Sequence, residues 1–259
     1  MASMLVGAQL YSCRTHTQTE EGLLMTLQTL RKAGYRAVQL SAHGAQIPAV
    51  NIAEMLRRTG MICPATHTSF DRMRDDLTAV VREQKLWDSP YVGIGAMPER
   101  FHEQGEQGFR SFAQEMGGVA RRLKDEGLTL IYHNHAFEMQ RFGNITGLGI
   151  LLSETDPLVQ FEIDTYWIQC GGGDPIDWIH RVIGRMDVVH LKDMAGHSEN
   201  RPVITEIGHG NLNWKAILEA CDLTKVKWAF VEQDNAIDTD PFACLARSHD
   251  YLAGVGATF

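Results

Sequence analysis

Asp187-Val188-Val189-His190-Leu191-Lys192-Asp193 is a short apolar run that closes on a histidine and a lysine two residues apart. Side chains alternate faces along a strand, so His190 and Lys192 share one face and Leu191 takes the other. An imidazole beside an ammonium is a poor way to finish a core strand and fits the rim of a site. The same order, apolar run, polar end, amphipathic helical stretch, recurs along the chain. Strands are expected at Met4–Leu10, Ala37–Ser41, Ile62–Thr66, Tyr91–Gly95, Leu128–Asn134, Val159–Asp164, Asp187–Leu191 and Trp228–Glu232. Helices are expected near Glu20–Ala33, Pro48–Thr59, Asp71–Trp87, Gly108–Glu126, Ile145–Glu154, Pro175–Ile183, Trp214–Ala220 and Asp240–Leu252. Gly34, Gly60 and Gly127 follow helix ends, and Pro48, Pro175 and Pro241 open helices.

Eight strand–helix units of about 32 residues are the repeat of an α/β (β/α)8 TIM barrel, whose usual size is ~250 residues. The strands are nearly continuous apolar runs, as strands buried on both faces should be. The competing architecture is a doubly wound open sheet. No G-x-G-x-x-G follows the first strand, where Leu10-Tyr11-Ser12 stands instead, which argues against its dinucleotide-binding form. No linker or composition break divides the chain, so one barrel is expected over residues 1–259.

The 259 residues carry 24 basic and 32 acidic side chains, a net charge of -8 that argues against a nucleic-acid partner. Five scattered cysteines without a C-x-x-C pair make neither a disulfide framework nor a zinc knuckle. They fit a reducing compartment, and the cytoplasm is the expected location. There is no secretory leader pattern, and no apolar run approaches the ~20 residues needed to cross a membrane.

In a TIM barrel the C-terminal strand ends and the loops after them form the active site. Those positions hold His67; then His133, His135 and Glu138; Glu162 and Asp164; His190 and Lys192; and Glu232-Gln233-Asp234. Glu138 to Asp164 is 26 residues and Asp164 to His190 is again 26. The step from His190 to Glu232 is 42 because a polar loop near Met194–Asn213 is inserted. A single strand-end aspartate can simply cap a helix; four groups on four successive strands converge on one side of the barrel mouth. Two or three carboxylates with an imidazole suit one divalent cation, Mn2+, Mg2+, Co2+ or Zn2+. The lack of sulfur ligands argues against a structural zinc. Glu162 shares the face of Asp164 and is expected to support it rather than bind the ion. Gly208-His209-Gly210 fits either a phosphate-approaching backbone or a tight turn before the next helix.

The chain resembles the sugar-phosphate isomerase/epimerase superfamily of xylose-isomerase-like barrels, which includes tagatose-type epimerases, hydroxypyruvate isomerase and inosose dehydratase. The resemblance rests on an ordered set of motifs over nearly the whole length. These are Gln9-Leu10-Tyr11-Ser12, Gly34-Tyr35-Arg36-Ala37-Val38-Gln39-Leu40 and Tyr132-His133-Asn134-His135-Ala136-Phe137-Glu138. Asp164-Thr165-Tyr166-Trp167, Gly172-Gly173-Asp174-Pro175, His190-Leu191-Lys192-Asp193, Gly208 to Trp214 and Val231-Glu232-Gln233-Asp234 complete it. It implies a divalent metal held by Glu138, Asp164, His190 and Glu232. Epimerases carry the fifth-strand glutamate within the strand, where this chain has Tyr132 and His133. Either Glu138 is a ligand displaced along the loop, or His133 or His135 fills part of its role.

The resemblance also implies the chemistry. A small-molecule sugar or keto-sugar loses a proton next to its carbonyl, giving a metal-stabilised enediolate. Glu138 and Glu232 would take and return the proton, and Lys192 would donate to the oxyanion or pair with a carboxylate. His67, His135 and Arg201 are candidate hydroxyl or acid binders, with Trp167 as a wall for the sugar's apolar face. Isomerase or epimerase is the expected outcome, and a dehydratase or lyase acting on a keto-sugar, inosose or 3-keto-glycoside is the alternative. An AP-endonuclease-like phosphodiesterase shares the fold but calls for more metal ligands and a basic rim. Relatives of this kind form homo-oligomers or take a partner subunit.

Overall fold

Strands form where short runs of β-branched and aromatic residues are bounded by turn residues, and a computed structural model describing residues 4–259 finds all eight. They are β1 Leu5–Gln9, β2 Ala37–Leu40, β3 Ile62–His67, β4 Tyr91–Ile94, β5 Thr129–His133, β6 Gln160–Asp164, β7 Val188–Leu191 and β8 Trp228–Val231. Each pairs in parallel with its neighbours in chain order. The barrel closes where β1 pairs with β8, Leu5 lying opposite Trp228. This is the expected (β/α)8 barrel; residues 1–3 of the expected span lie outside the described residues.

Among the described residues, a main helix follows each strand: α1 Glu20–Lys32, α2 Ala49–Thr59, α3 Leu77–Trp87, α4 Glu106–Asp125, α5 Gly147–Glu154, α6 Pro175–Arg181, α7 Trp214–Leu223 and α8 Pro241–Gly254, with short extra turns at Phe70–Asp75, Glu99–His102 and Thr165–Cys170. In α4, Phe109, Phe112, Met116, Val119, Ala120 and Leu123 recur at three- and four-residue steps and are buried against the barrel. Glu106 in its first turn and Arg122 and Lys124 in its last suit the helix dipole. Gly60 ends α2 in the left-handed conformation, φ 64°, that a side chain would strain. The helix expected over Asp71–Trp87 is broken at Asp76, whose carboxylate accepts from Ala79 N–H and starts α3 anew. Among the described residues no helix is long and apolar enough to cross a membrane.

Inside the barrel, alternation sorts residues by height. Ala37, Ala65, Tyr91, Ile131, Val188 and Phe230 form an apolar plug. One step nearer the C-terminal ends, Gln9, Gln39, Glu162 and His190 are buried and bonded to one another across the barrel axis. A barrel interior packs in layers; here the upper layer is polar and supports the mouth.

The loop after β7 is a hairpin, Asp193–Gly196 paired antiparallel with Pro202–Thr205. Its root is the buried carboxylate of Asp193, which accepts from the backbone N–H of Met194 (2.7 Å), Gly208 (2.8 Å), Gly210 (3.0 Å) and Leu212 (3.3 Å), and from Trp214 Nε1 (2.6 Å). A Cβ on Gly210 would lie 2.4 Å from Asp193 Oδ1, so only glycine allows this approach. The Gly208-His209-Gly210 turn is therefore wrapped around a carboxylate of the protein itself.

Candidate metal centre and cavity

The strand ends surround a cavity of about 590 Å³. Tyr11, Ser41, Thr68 and Ser69 line one side, from the ends of β1, β2 and β3. His133, His135, Trp167, Lys192, Glu232 and Asp234 line the other, from β5 to β8. His67 stands between them in space left by two glycines. A Cβ on Gly93 or Gly95 would come within 2.6 or 2.9 Å of its ring. A wider groove of about 710 Å³ lies on the outer surface between α3 and α4, lined by Leu77, Val81 and Arg122 among others, away from the strand ends.

At the base of the cavity His133, Asp164, His190 and Glu232 each offer a ligand atom, all within 4.8 Å of one another and all buried. Both histidines are oriented from behind. His133 Nδ1 lies 3.1 Å from the Gly95 carbonyl, an acceptor only, and Nε2 faces Asp164 Oδ2 at 3.2 Å. His190 Nε2 lies 2.6 Å from Gln39 Oε1 and 3.2 Å from Glu162 Oε1, leaving Nδ1 toward Glu232 Oε2 at 3.1 Å and Asp164 Oδ2 at 3.8 Å. Outer nitrogens tied to fixed acceptors are what metal-binding histidines require. Asp164 Oδ1 caps the turn after β6 by accepting from Trp167 N–H at 2.9 Å, which turns Oδ2 to the centre. With two imidazoles and two carboxylates, the donor set fits a divalent transition-metal ion.

Lys192 supplies charge to the same place. Its buried ammonium lies 2.7 Å from Glu232 Oε2, 3.0 Å from Asp164 Oδ2 and 3.1 Å from Asp234 Oδ2. Burial lowers its affinity for the proton, but the three carboxylates reverse this and hold it above the usual lysine range. Burial likewise raises Asp164, and the Lys192 ammonium with His133 and His190 brings it well below the ordinary carboxylate value. Glu232 is also driven down, by Lys192 and His190 against the effect of burial. Asp234 is pushed up, by burial and then by the charge of Glu232. His135 is pushed down to about 3, chiefly by burial, and is a neutral imidazole.

Of the expected ligands, Asp164, His190 and Glu232 come together, and the fifth-strand member of the group is His133. Glu138 stands apart. The chain turns away after His133, and the fully buried Glu138 carboxylate folds back to accept from Tyr132 OH at 2.6 Å and from His135 N–H at 2.9 Å. It thus clamps the loop that carries His135. Of the expected substrate contacts, His67, His135 and Trp167 line the cavity. Arg201 does not: it is exposed in the hairpin tip, with its Nε 2.7 Å from Glu199 Oε2. Glu162 holds His67 Nε2 at 2.6 Å and stays beneath the ligand group. The structure adds Gln9 and Gln39 beneath the centre and Tyr11 and Ser41 in the cavity wall, and it brings Asp234, expected at the end of the eighth strand, into that wall. A glutamine inside an otherwise apolar strand, as in Ala37-Val38-Gln39-Leu40, was a legible sign of such a group.

Residues 27–241 match the family described as xylose isomerase-like TIM barrel. An inosose dehydratase from Geobacillus kaustophilus (strain HTA426) is 32% identical over 87 residues, which is 33% of this chain and 28% of that protein. A sugar phosphate isomerase/epimerase from Parabacteroides distasonis ATCC 8503 superposes with a TM-score of 0.81 at 19% identity, covering 99% of this chain and 96% of that one. An L-ribulose 3-epimerase superposes with a TM-score of 0.69 at 18% identity, covering 99% and 94%. At these identities the two structures speak for the fold.

Proposed function

The chain belongs to the xylose isomerase-like TIM barrel family, and from that premise we propose that it is a divalent-metal-dependent isomerase or epimerase of a keto-sugar. One observation carries the reading. The inner nitrogens of His133 and His190, each fixed from behind by an acceptor, meet Asp164 and Glu232 at the base of an open cavity. A divalent ion held by these four side chains would supply a Lewis acid for the substrate's carbonyl.

The side chains do the rest. Glu232, kept ionised by the Lys192 ammonium, takes the proton from the carbon next to the carbonyl and leaves an enediolate. Asp234, the second carboxyl in the wall, whose affinity for the proton is raised by burial and by the charge of Glu232, takes part in returning it. Return to the opposite face of the same carbon epimerises, and delivery to the neighbouring carbon isomerises. Lys192 stays cationic between the two carboxylates and offsets the charge that develops. Trp167, whose ring centre is 5.3 Å from Lys192 Nζ, forms an apolar wall, and neutral His135 meets a hydroxyl.

A second reading is supported by the residue-level match to an inosose dehydratase. The same enediolate expels a β-hydroxyl instead of taking back its proton. One experiment separates the two. Protein loaded with Mn2+ is incubated in D2O with ketoses, inososes and 3-keto-glycosides, the ion is removed, and the products are read by NMR. Deuterium beside the carbonyl with the carbon skeleton and hydroxyls intact supports the isomerase or epimerase, and loss of water selects the dehydratase. Absence of exchange in every candidate would overturn both.

A further inference from the structure

The cavity's charge carries the proposed function one step further, to the class of substrate, and the inference rests on that reading. We propose that the substrate is uncharged, a keto-sugar or cyclitol ketone without phosphate or carboxylate, held through neutral hydroxyls against the wall built by β1 to β3.

Among the described residues that line the cavity, the one lysine or arginine is Lys192, and its ammonium already faces three carboxylates between 2.7 and 3.1 Å. A phosphate monoester brings about -1.5 to -2 charges at pH 7. Here it would face Glu232 and Asp234, and Lys192 stays paired with Asp234 when the other two carboxylates serve an ion. A desolvated anion without a partner is strongly disfavoured.

Three arginines of the loops after the strands are held by partners of their own. Arg14 donates to the carbonyls of Tyr11 and Asp234 and lies over the Tyr11 ring. Arg72 makes a two-pronged pair with Glu83. Arg201 pairs with Glu199 in the exposed hairpin tip. The other common phosphate device, a glycine turn presenting backbone N–H groups, exists at Gly208 and Gly210, but its donors point to Asp193. What the wall offers instead is Tyr11, Ser41, Thr68 and Ser69, hydroxyls that both donate and accept. That is the complement of a polyol.

The test uses matched pairs on the Mn2+-loaded protein in D2O: D-fructose with D-fructose 6-phosphate, and D-tagatose with D-tagatose 6-phosphate. The neutral member of any active pair should exchange faster, by about 10²-fold in kcat/KM, a ratio within reach of one unmatched polar group. In parallel, chelator-treated protein is titrated with inorganic phosphate and followed by thermal unfolding and 31P line width. No saturable effect is expected. A saturable phosphate site, or a phosphate ester preferred to its parent sugar, would overturn the proposal. If neither member of any pair exchanges, the enolisation reading rests on the wider screen of inososes and 3-keto-glycosides, and the phosphate titration by itself decides the charge of the ligand.

Discussion

Lys192 holds its ammonium 2.7 Å from Glu232 Oε2, the same oxygen that His190 Nδ1 approaches at 3.1 Å. The protein therefore places a cation of its own against two carboxylates, Glu232 and Asp164, that the metal would use. Without the ion this lysine keeps the carboxylates together; with it, the ammonium competes for their charge and has Asp234 as its remaining partner.

Lys192→Met should thus act in opposite directions on two measurements. Removing one partner of a buried ion pair costs about 3–5 kcal/mol, so the metal-free variant should melt several degrees lower. Its affinity for Mn2+, read by competition with a chelating dye, should rise about tenfold, the equivalent of ~1.4 kcal/mol. Equal or weaker Mn2+ binding by the variant would refute the competition.

His133 and Glu162 separate ligand from support. His133→Ala should lose tightly held metal, like His190→Ala. Glu162→Gln should weaken binding about 10- to 100-fold, the usual effect of altering a partner behind a metal-binding histidine. Metal content after dialysis, by atomic emission, reads all three. Full occupancy in His133→Ala would return the fifth-strand role to another residue.

Glu138 gives the pH dependence. Burial pushes its carboxyl up from 4.5 to about 7. Below pH 4.5 it is protonated both folded and unfolded. Between 4.5 and 7 the unfolded chain ionises first, so stability falls as pH rises, and above 7 the loss is complete. At 1.36 kcal/mol per unit the loss is about 3 kcal/mol. Glu138→Gln should therefore flatten the decline in urea midpoint between pH 5 and 8. An unchanged slope would remove Glu138 as its source.

Asp193→Ala strips five donors of their acceptor, the buried Trp214 Nε1 and four half-buried backbone N–H groups. Unsatisfied buried donors cost about 1–3 kcal/mol each before relaxation and water entry, so a loss of at least ~3 kcal/mol is expected. Amide exchange should quicken at Gly208, Gly210 and Leu212. Unchanged protection there would show that the turn does not depend on the carboxylate.

Much of this was legible in the chain. All eight strands and the outer helices follow from local pattern, and Asp164, His190 and Glu232 follow from polar residues at strand ends. Glu138 misled because spacing along the chain measures the repeat and not the direction of a side chain. Alternation holds only while the strand lasts, and β5 ends at His133. Parity within that strand pointed to His133, which shares the inward face of Ile131 and pairs with Glu162 across the sheet. The place of Arg201 depended on a neighbour in a loop, Glu199, and that pairing leaves no periodic trace. The occupant of the Gly208–Gly210 turn lay 15 residues upstream, where only the folded chain brings Asp193 to it.

The four side chains that could hold an ion come from consecutive strands, β5 to β8, and the hydroxyl wall comes from β1 to β3. The hydroxyl contacts of the wall and the groups that could hold the ion thus sit largely in different halves of one barrel. Drift in the N-terminal half can retune which polyol is accepted while the ion site is passed on intact, and a library confined to Tyr11, Ser41, Thr68 and Ser69 would search substrates at constant mechanism.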